Sequence, residues 1–281
     1  MSAALAVERH ADADALLAAA ESWLVEAEAE NNLLLGIASN WRRRPPGDPA
    51  PYWANVRDAS GIVGCACRTP PHHVVLTRMP PAAIAVIAED VGAAYASVSG
   101  VNGPTAVAEA FAGAWIARHG GGWSTRFRMR LHELTSVSFA GPLAAGTLRK
   151  AVDADLPRAR EWMDGFVRDA GIHRSEPDWA QKLVERGQLF FWLDGGSPRA
   201  MVAWARETRS GCSINAVYTP APYRGRGYAT AAVATLSDTL LKAGRRFCCL
   251  YTDVANPTSN SIYAKIGYRP IRDDVEIAFE P

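Results

Sequence analysis

Arg224-Gly225-Arg226-Gly227-Tyr228-Ala229 has the composition of an anion site, because it follows an extended stretch at 213–219 and opens an amphipathic helix. Glycine lets the backbone turn tightly with its N–H groups facing inward. The first helical turn leaves its own donors unpaired beside the positive end of the helix dipole. A polyphosphate suits that place. A Rossmann dinucleotide site fits poorly, since Thr230 replaces the third glycine and no acid lies about twenty residues on. A P-loop fails because no Gly-Lys-Ser/Thr follows. One helix and one strand downstream lies a second polar segment, running from Asn256 through Ser259, Asn260 and Tyr263 to Gly267-Tyr268.

Together the two segments resemble the GNAT superfamily, the acetyl-CoA-dependent N-acetyltransferases. That family's signature is Arg/Gln-x-x-Gly-x-Gly/Ala followed by Asn-x(6)-Tyr-x(3)-Gly-Tyr/Phe. Residues 224–229 fit the first part, and Asn256, Tyr263, Gly267 and Tyr268 fit the second at the family's spacing. The resemblance covers roughly the last half of the chain and implies acetyl-CoA as acyl donor. It places the CoA pyrophosphate on the amides of Arg224, Gly225, Arg226, Gly227, Tyr228, Ala229 and Thr230. Val217, Tyr218 and Thr219 stand on the strand that contacts the acetyl carbonyl and pantetheine arm. An N–H at Val217 aimed at the thioester oxygen would stabilise the developing oxyanion. Asn256, Ser259 and Asn260 match positions that contact the rest of the cofactor, and Tyr263 matches the tyrosine that protonates the departing thiolate.

The resemblance implies a small-molecule primary amine as acceptor, attacked directly in a ternary complex. Family members that acetylate histone-like lysines carry a glutamate on the strand before the glycine loop, whereas this chain has Gly211 and Cys212 in that neighbourhood. Glu207, His173, Glu176 and an ordered water are the alternatives for the base. Two other readings stand beside acetyl transfer: a non-catalytic acyl-CoA sensor, and a transferase that uses another acyl group or acceptor, including a protein amine or a hydroxyl.

Composition bounds the alternatives. The chain has 281 residues, 48% of them apolar, and a formal net charge of +1. A globular protein with a sizeable core is expected, with no general basicity that would point to nucleic acid. The acidic first thirty residues argue against a signal peptide, and no apolar run reaches membrane-spanning length. Five cysteines in strand-like surroundings suit reduced thiols in the cytoplasm. Cys65 and Cys67 with His72 and His73 lack a second ligand pair at zinc-site spacing, so no metal is expected.

The elements that would position these residues follow from periodicity and turn signals. Residues 3–30 predict a helix; extended segments follow at 52–57, 62–68 and 73–79, then helices at 81–96 and 104–118 and a strand at 123–134. Gly141 to Gly146 marks a boundary. Beyond it come a strand at 147–152, a helix capped by Asp153, a helix at 178–186, and strands at 188–193, 199–206 and 213–219. The helix after the glycines places Ala229, Val233, Leu236 and Leu240 on one face, with Gly244 as its cap. Then come 247–252 as strand, 259–266 as helix and 276–279 as strand. The order βααβββαβαβ, with a similar run of strands and helices before it, predicts a mixed α/β fold of two GNAT-like units in tandem, 1–140 and 146–281. Pro80 and Pro81 remove two donors where the first unit would need them, so that unit is expected to be degenerate and not to bind CoA. It is left with walling off the acceptor cleft, forming a homodimer or stabilising its neighbour.

Overall fold

The computed structural model describes residues 5–42, 50–139, 141–172 and 178–281. Its first half runs β1 (Ala6–Arg9), α1 (Ala13–Glu26), α2 (Asn32–Trp41), β2 (Tyr52–Asp58), β3 (Gly61–Arg68), β4 (Val74–Leu76), α3 (Pro81–Ala94), β5 (Gly100–Pro104), α4 (Thr105–His119) and β6 (Gly122–Leu134). Its second half runs β7 (Thr147–Lys150), α5 (Leu156–Ala170), α6 (Trp179–Glu185), β8 (Leu189–Asp194), β9 (Ser197–Ala205), β10 (Gly211–Tyr218), α7 (Tyr228–Lys242), β11 (Phe247–Asp253), α8 (Pro257–Ile266) and β12 (Arg269–Glu280).

Among the described residues the strands form a single mixed sheet of twelve, in the order β1-β2-β3-β4-β5-β12-β6-β11-β10-β9-β8-β7. That order is a palindrome of two like halves, each with a parallel pair, β4 with β5 and β10 with β11. The fold is mixed α/β with two GNAT-like units, and their last strands are exchanged. β12 lies between β5 and β6, while β6 lies between β12 and β11.

Apolar faces explain the layers. α3 and α4 bury Ile84, Ile87, Val91, Phe111 and Trp115 against the first half of the sheet. α7 buries Val233, Leu236 and Leu240 with Cys212, Ile214, Cys248 and Leu250 of the strands beneath it. On the opposite face α5 and α6 pack Trp162, Met163 and Leu183 against Phe191, Met201 and Ala216. Within the exchanged strand Arg272 donates to both carboxylate oxygens of the buried Asp274 at 2.6 and 2.8 Å, and the Tyr251 hydroxyl of β11 donates to the same carboxylate at 3.2 Å.

Three local expectations are corrected. Within the expected opening helix the described residues form the edge strand β1 and the helix α1, which ends at Glu26, where the Asn31 amide donates to the Leu24 carbonyl at 2.9 Å and the Asn32 amide to that of Ala29 at 2.7 Å. A short 3₁₀ turn, Asp153–Asp155, precedes α5, so Asp155 rather than Asp153 is its capping residue; the Asp155 carboxylate accepts from the Val152 N–H at 2.9 Å and from Arg149. The last strand is longer than expected because it has a hydrogen-bonded neighbour on each side.

Candidate active site

β10 and β11 pair at Gly211 with Phe247, Cys212 with Cys248 and Ser213 with Cys249. Their register goes no further, although β10 runs on to Tyr218 and β11 to Asp253. The register of β10 with β9 shifts between Asn215 and Tyr218, and Ala216 has φ +47°. Such a bulge adds a residue, bends its strand and commonly marks functional sites. The wedge between the two strands is part of an open cleft of about 2110 Å³, lined by Val217, Tyr218 and Thr219 on one side and residues 250–253 on the other.

At the mouth of this wedge a 3₁₀ turn, Ala221–Tyr223, leads into the glycine loop. Gly225 and Gly227 have φ +75° and +79°, and a Cβ on either would meet nothing closer than 3.7 Å. Conformation rather than space therefore requires glycine. Gly227 is the N-cap of α7, and residues 224–230 all line the cleft. Arg224 braces the loop, donating from Nη2 to Asp169 at 2.5 Å and from Nε to the Thr219 carbonyl at 2.9 Å. The Tyr228 hydroxyl donates to Asp194 at 2.5 Å, and that carboxylate pushes the phenol's pKa up.

Tyr263 of α8 lines the same cleft as Val217 and is buried, its ring edge-on to Tyr268 at 5.9 Å. Burial pushes its phenol up to about 12, so it stays protonated at neutral pH. Asn256 and Ser259 line the same cleft, but the Asn256 side chain caps α8 by accepting from the Ser259 N–H at 3.0 Å. Asn260 turns to the strand instead. It accepts from the Thr252 hydroxyl at 2.6 Å and donates to the Asp253 carbonyl at 3.2 Å.

Of the candidate bases, Glu207 lines the cleft and is ion-paired with Arg245. His173 and Glu176 lie outside the described residues. Trp179 lines the cleft, while Trp162 is buried edge-on against Phe191. Cys65 and Cys67 are buried, and burial raises both thiols.

Several lining residues have no local sequence signal. Asn40 and Trp41 of α2, Asn102 of β5, and Arg126, Phe127 and Met129 of β6 all belong to the first half of the chain. They reach the cleft because β6 pairs with β11, setting Met129 opposite Asp253.

The residues present fit a thioester cofactor with a pyrophosphate. Left-handed glycines open a helix at the mouth of a strand wedge, and the Thr219 hydroxyl is buried there without a hydrogen-bond partner among the described residues. The corresponding place in the first half differs. Thr77 is folded back on β3, accepting from the Cys65 N–H at 2.8 Å, Met79 is buried, and α3 starts at Pro80-Pro81.

A family model described as FR47-like protein matches residues 193–277. No curated protein matches the chain. Among solved structures, a Drosophila protein aligns at TM-score 0.66 with 13% identity, covering 98% of each chain. A GCN5-related N-acetyltransferase from Sphaerobacter thermophilus aligns at TM-score 0.60 with 16% identity, over 99% of this chain and 96% of its own. A tandem GNAT protein from the clavulanic acid biosynthesis pathway aligns at TM-score 0.54 with 12% identity, over 98% of both. With the signature of residues 224–229 and 256–268 set at a splayed parallel strand pair, this chain is a tandem protein of GNAT fold.

Proposed function

We propose that this chain moves an acetyl group from acetyl-CoA to a primary amine of a small molecule, by direct attack in a ternary complex. Bound acetyl-CoA supplies the acyl group as an activated thioester. The glycine loop of residues 224–230 binds its pyrophosphate, and Val217, Tyr218 and Thr219 bind the pantetheine arm along the bulged strand. The Val217 N–H donates to the carbonyl oxygen as it gains charge. Tyr263 holds a proton for the departing sulfur, whose pKa as a thiol is about 8.5. As the new N–C bond forms and the C–S bond breaks, the amine's proton leaves to solvent or to a base.

The unit 146–281 is the catalytic one. The unit 1–140 does not bind CoA, since prolines stand where the loop amides would be needed, and it supplies the far wall of the acceptor cleft through α2 and β6. The five free cysteines, all buried, support a cytoplasmic location.

The observation that carries this reading is a parallel pair whose pairing stops at Ser213, beside a cleft that the glycine loop and Tyr263 both line. The test is thiol release from acetyl-CoA with a panel of amines, alongside a thermal-shift titration with CoA. Turnover with at least one amine and a CoA-dependent rise in Tm are expected; no shift and no turnover would remove the proposal.

A further inference from the structure

Arg206 stands just past β9, in the turn to β10, with φ +48°. A side chain there strains the backbone, which surrounding contacts must hold in place. α2 presses on it so closely that a Cβ on Gly36 would meet the Arg206 Cβ at 2.7 Å. The guanidinium lies over the Tyr251 ring, 5.5 Å from its centroid, and Nη2 donates to the Ser213 hydroxyl at 2.9 Å. Its Nε is buried with no acceptor among the described residues.

A guanidinium has five donors and is always charged, so a half-buried one is ordinarily met by a carboxylate. Among the described residues none is bonded to this one. Glu207 is taken by Arg245, and Glu28 by the Ser210 N–H and hydroxyl at 2.6 and 2.5 Å. Arg206 nevertheless lines the same cleft as Val217 and Tyr263.

Asn215 supplies the complementary group. It lies two residues beyond Ser213, on the same face of β10, lines the cleft, and has its side-chain oxygen buried without a donor among the described residues. Two residues of strand span roughly 7 Å. A cation and an orphaned acceptor at that spacing, leading toward Val217, match a molecule with a carboxylate at one end and an amine at the other.

We propose that Arg206 and Asn215 set acceptor specificity, and that the acceptor is an aliphatic amine whose carboxylate lies about four to six carbons from its nitrogen. Arg206 holds the carboxylate, and Asn215 accepts from the amine and aims it at the wedge. This inference rests on the acetyl-transfer reading for its reaction and on Arg206 for its selectivity.

The probes are 4-aminobutyrate, 5-aminovalerate and 6-aminohexanoate, each set against its carboxamide and the plain alkylamine of equal length. Two readouts are taken on the full chain: calorimetric binding in the presence of saturating CoA, and kcat and KM for acetyl transfer. At least one carboxylated probe is expected to surpass its neutral partners by about 10- to 100-fold in Kd and KM. Arg206→Gln should bring that ratio close to one, through KM rather than kcat. Arg206→Lys, which keeps the charge but not the fork, should fall between. Should Arg206→Gln fail to fold, Ser213→Ala removes only the bond that steadies the guanidinium and should still narrow the ratio several-fold. Equal affinity for charged and neutral probes, or a ratio unchanged in Arg206→Gln or in Ser213→Ala, would overturn the inference. Carboxylate-selective binding without thiol release would uphold Arg206 and sink the transferase reading; release without selectivity would do the reverse.

Discussion

Tyr263 lines the cleft, and burial raises its phenol to about 12. Burial disfavours the charged phenolate, so the proton is retained throughout the range in which an amine becomes a free nucleophile. Tyr263→Phe is expected to lower kcat by about 10²-fold with little change in CoA affinity, measured by steady-state thiol release and by calorimetry. The wild-type rate should rise with pH as the amine loses its proton. It should show no alkaline decline near pH ~10, where an unperturbed phenol ionises. A decline centred there that disappears in Tyr263→Phe would contradict the shifted phenol. These residues were legible in the sequence because their spacing repeats that of a known signature. Arg206 and Asn215 were not, since an orphaned donor and an orphaned acceptor are properties of surroundings that no spacing reveals.

Among the elements, the loop from β10 into α7 depends on backbone conformation, and the exchanged strand β12 contains a buried ion pair. Gly227→Ala forces a side chain into φ +79° without any steric contact to relieve. It should therefore cost about 1 kcal/mol in urea denaturation and weaken CoA binding as the amides shift. A variant of wild-type stability and CoA affinity would show that the left-handed turn is not required. In β12, Asp274 is almost fully buried and carries both bonds from Arg272. Asp274→Asn leaves that cation poorly matched and should destabilise the protein by roughly 3 kcal/mol, read from the denaturation midpoint at constant m-value. A loss under about 1 kcal/mol would mean that Glu30, 3.6 Å from Arg272, suffices as counter-ion. Most elements could be read from the chain because helical and strand periodicities are local. β1 could not, because Ala6–Arg9 is a strand only through its pairing with β2, from Ala6 with Arg57 to Arg9 with Ala54. The full length of β12 was hidden for the same reason, and Pro270 within it is tolerated at a register shift.

For the molecule as a whole, the exchange of β6 and β12 ties the halves into one sheet and brings the first half to the cleft beside β10 and β11. Residues 146–281 expressed alone would lack β6, leaving β11 and β12 with bare edges. That fragment is expected to aggregate or self-associate, as seen by soluble yield and size-exclusion chromatography. A well-folded monomer of the fragment, with native circular dichroism and CoA binding, would show that the shared strand is dispensable. The sequence by itself determined the glycine loop, the order of elements in the second half and the division into two similar halves, because these depend on residue type and short-range spacing. Only the tertiary structure decided that the halves trade their last strands, that β10 breaks from β11 at Ser213, and that residues over a hundred positions apart wall one cleft. Those outcomes depend on which strand edges meet and which polar groups stay unmatched when they do, and both are settled by contacts between segments that the order of residues along the chain does not specify.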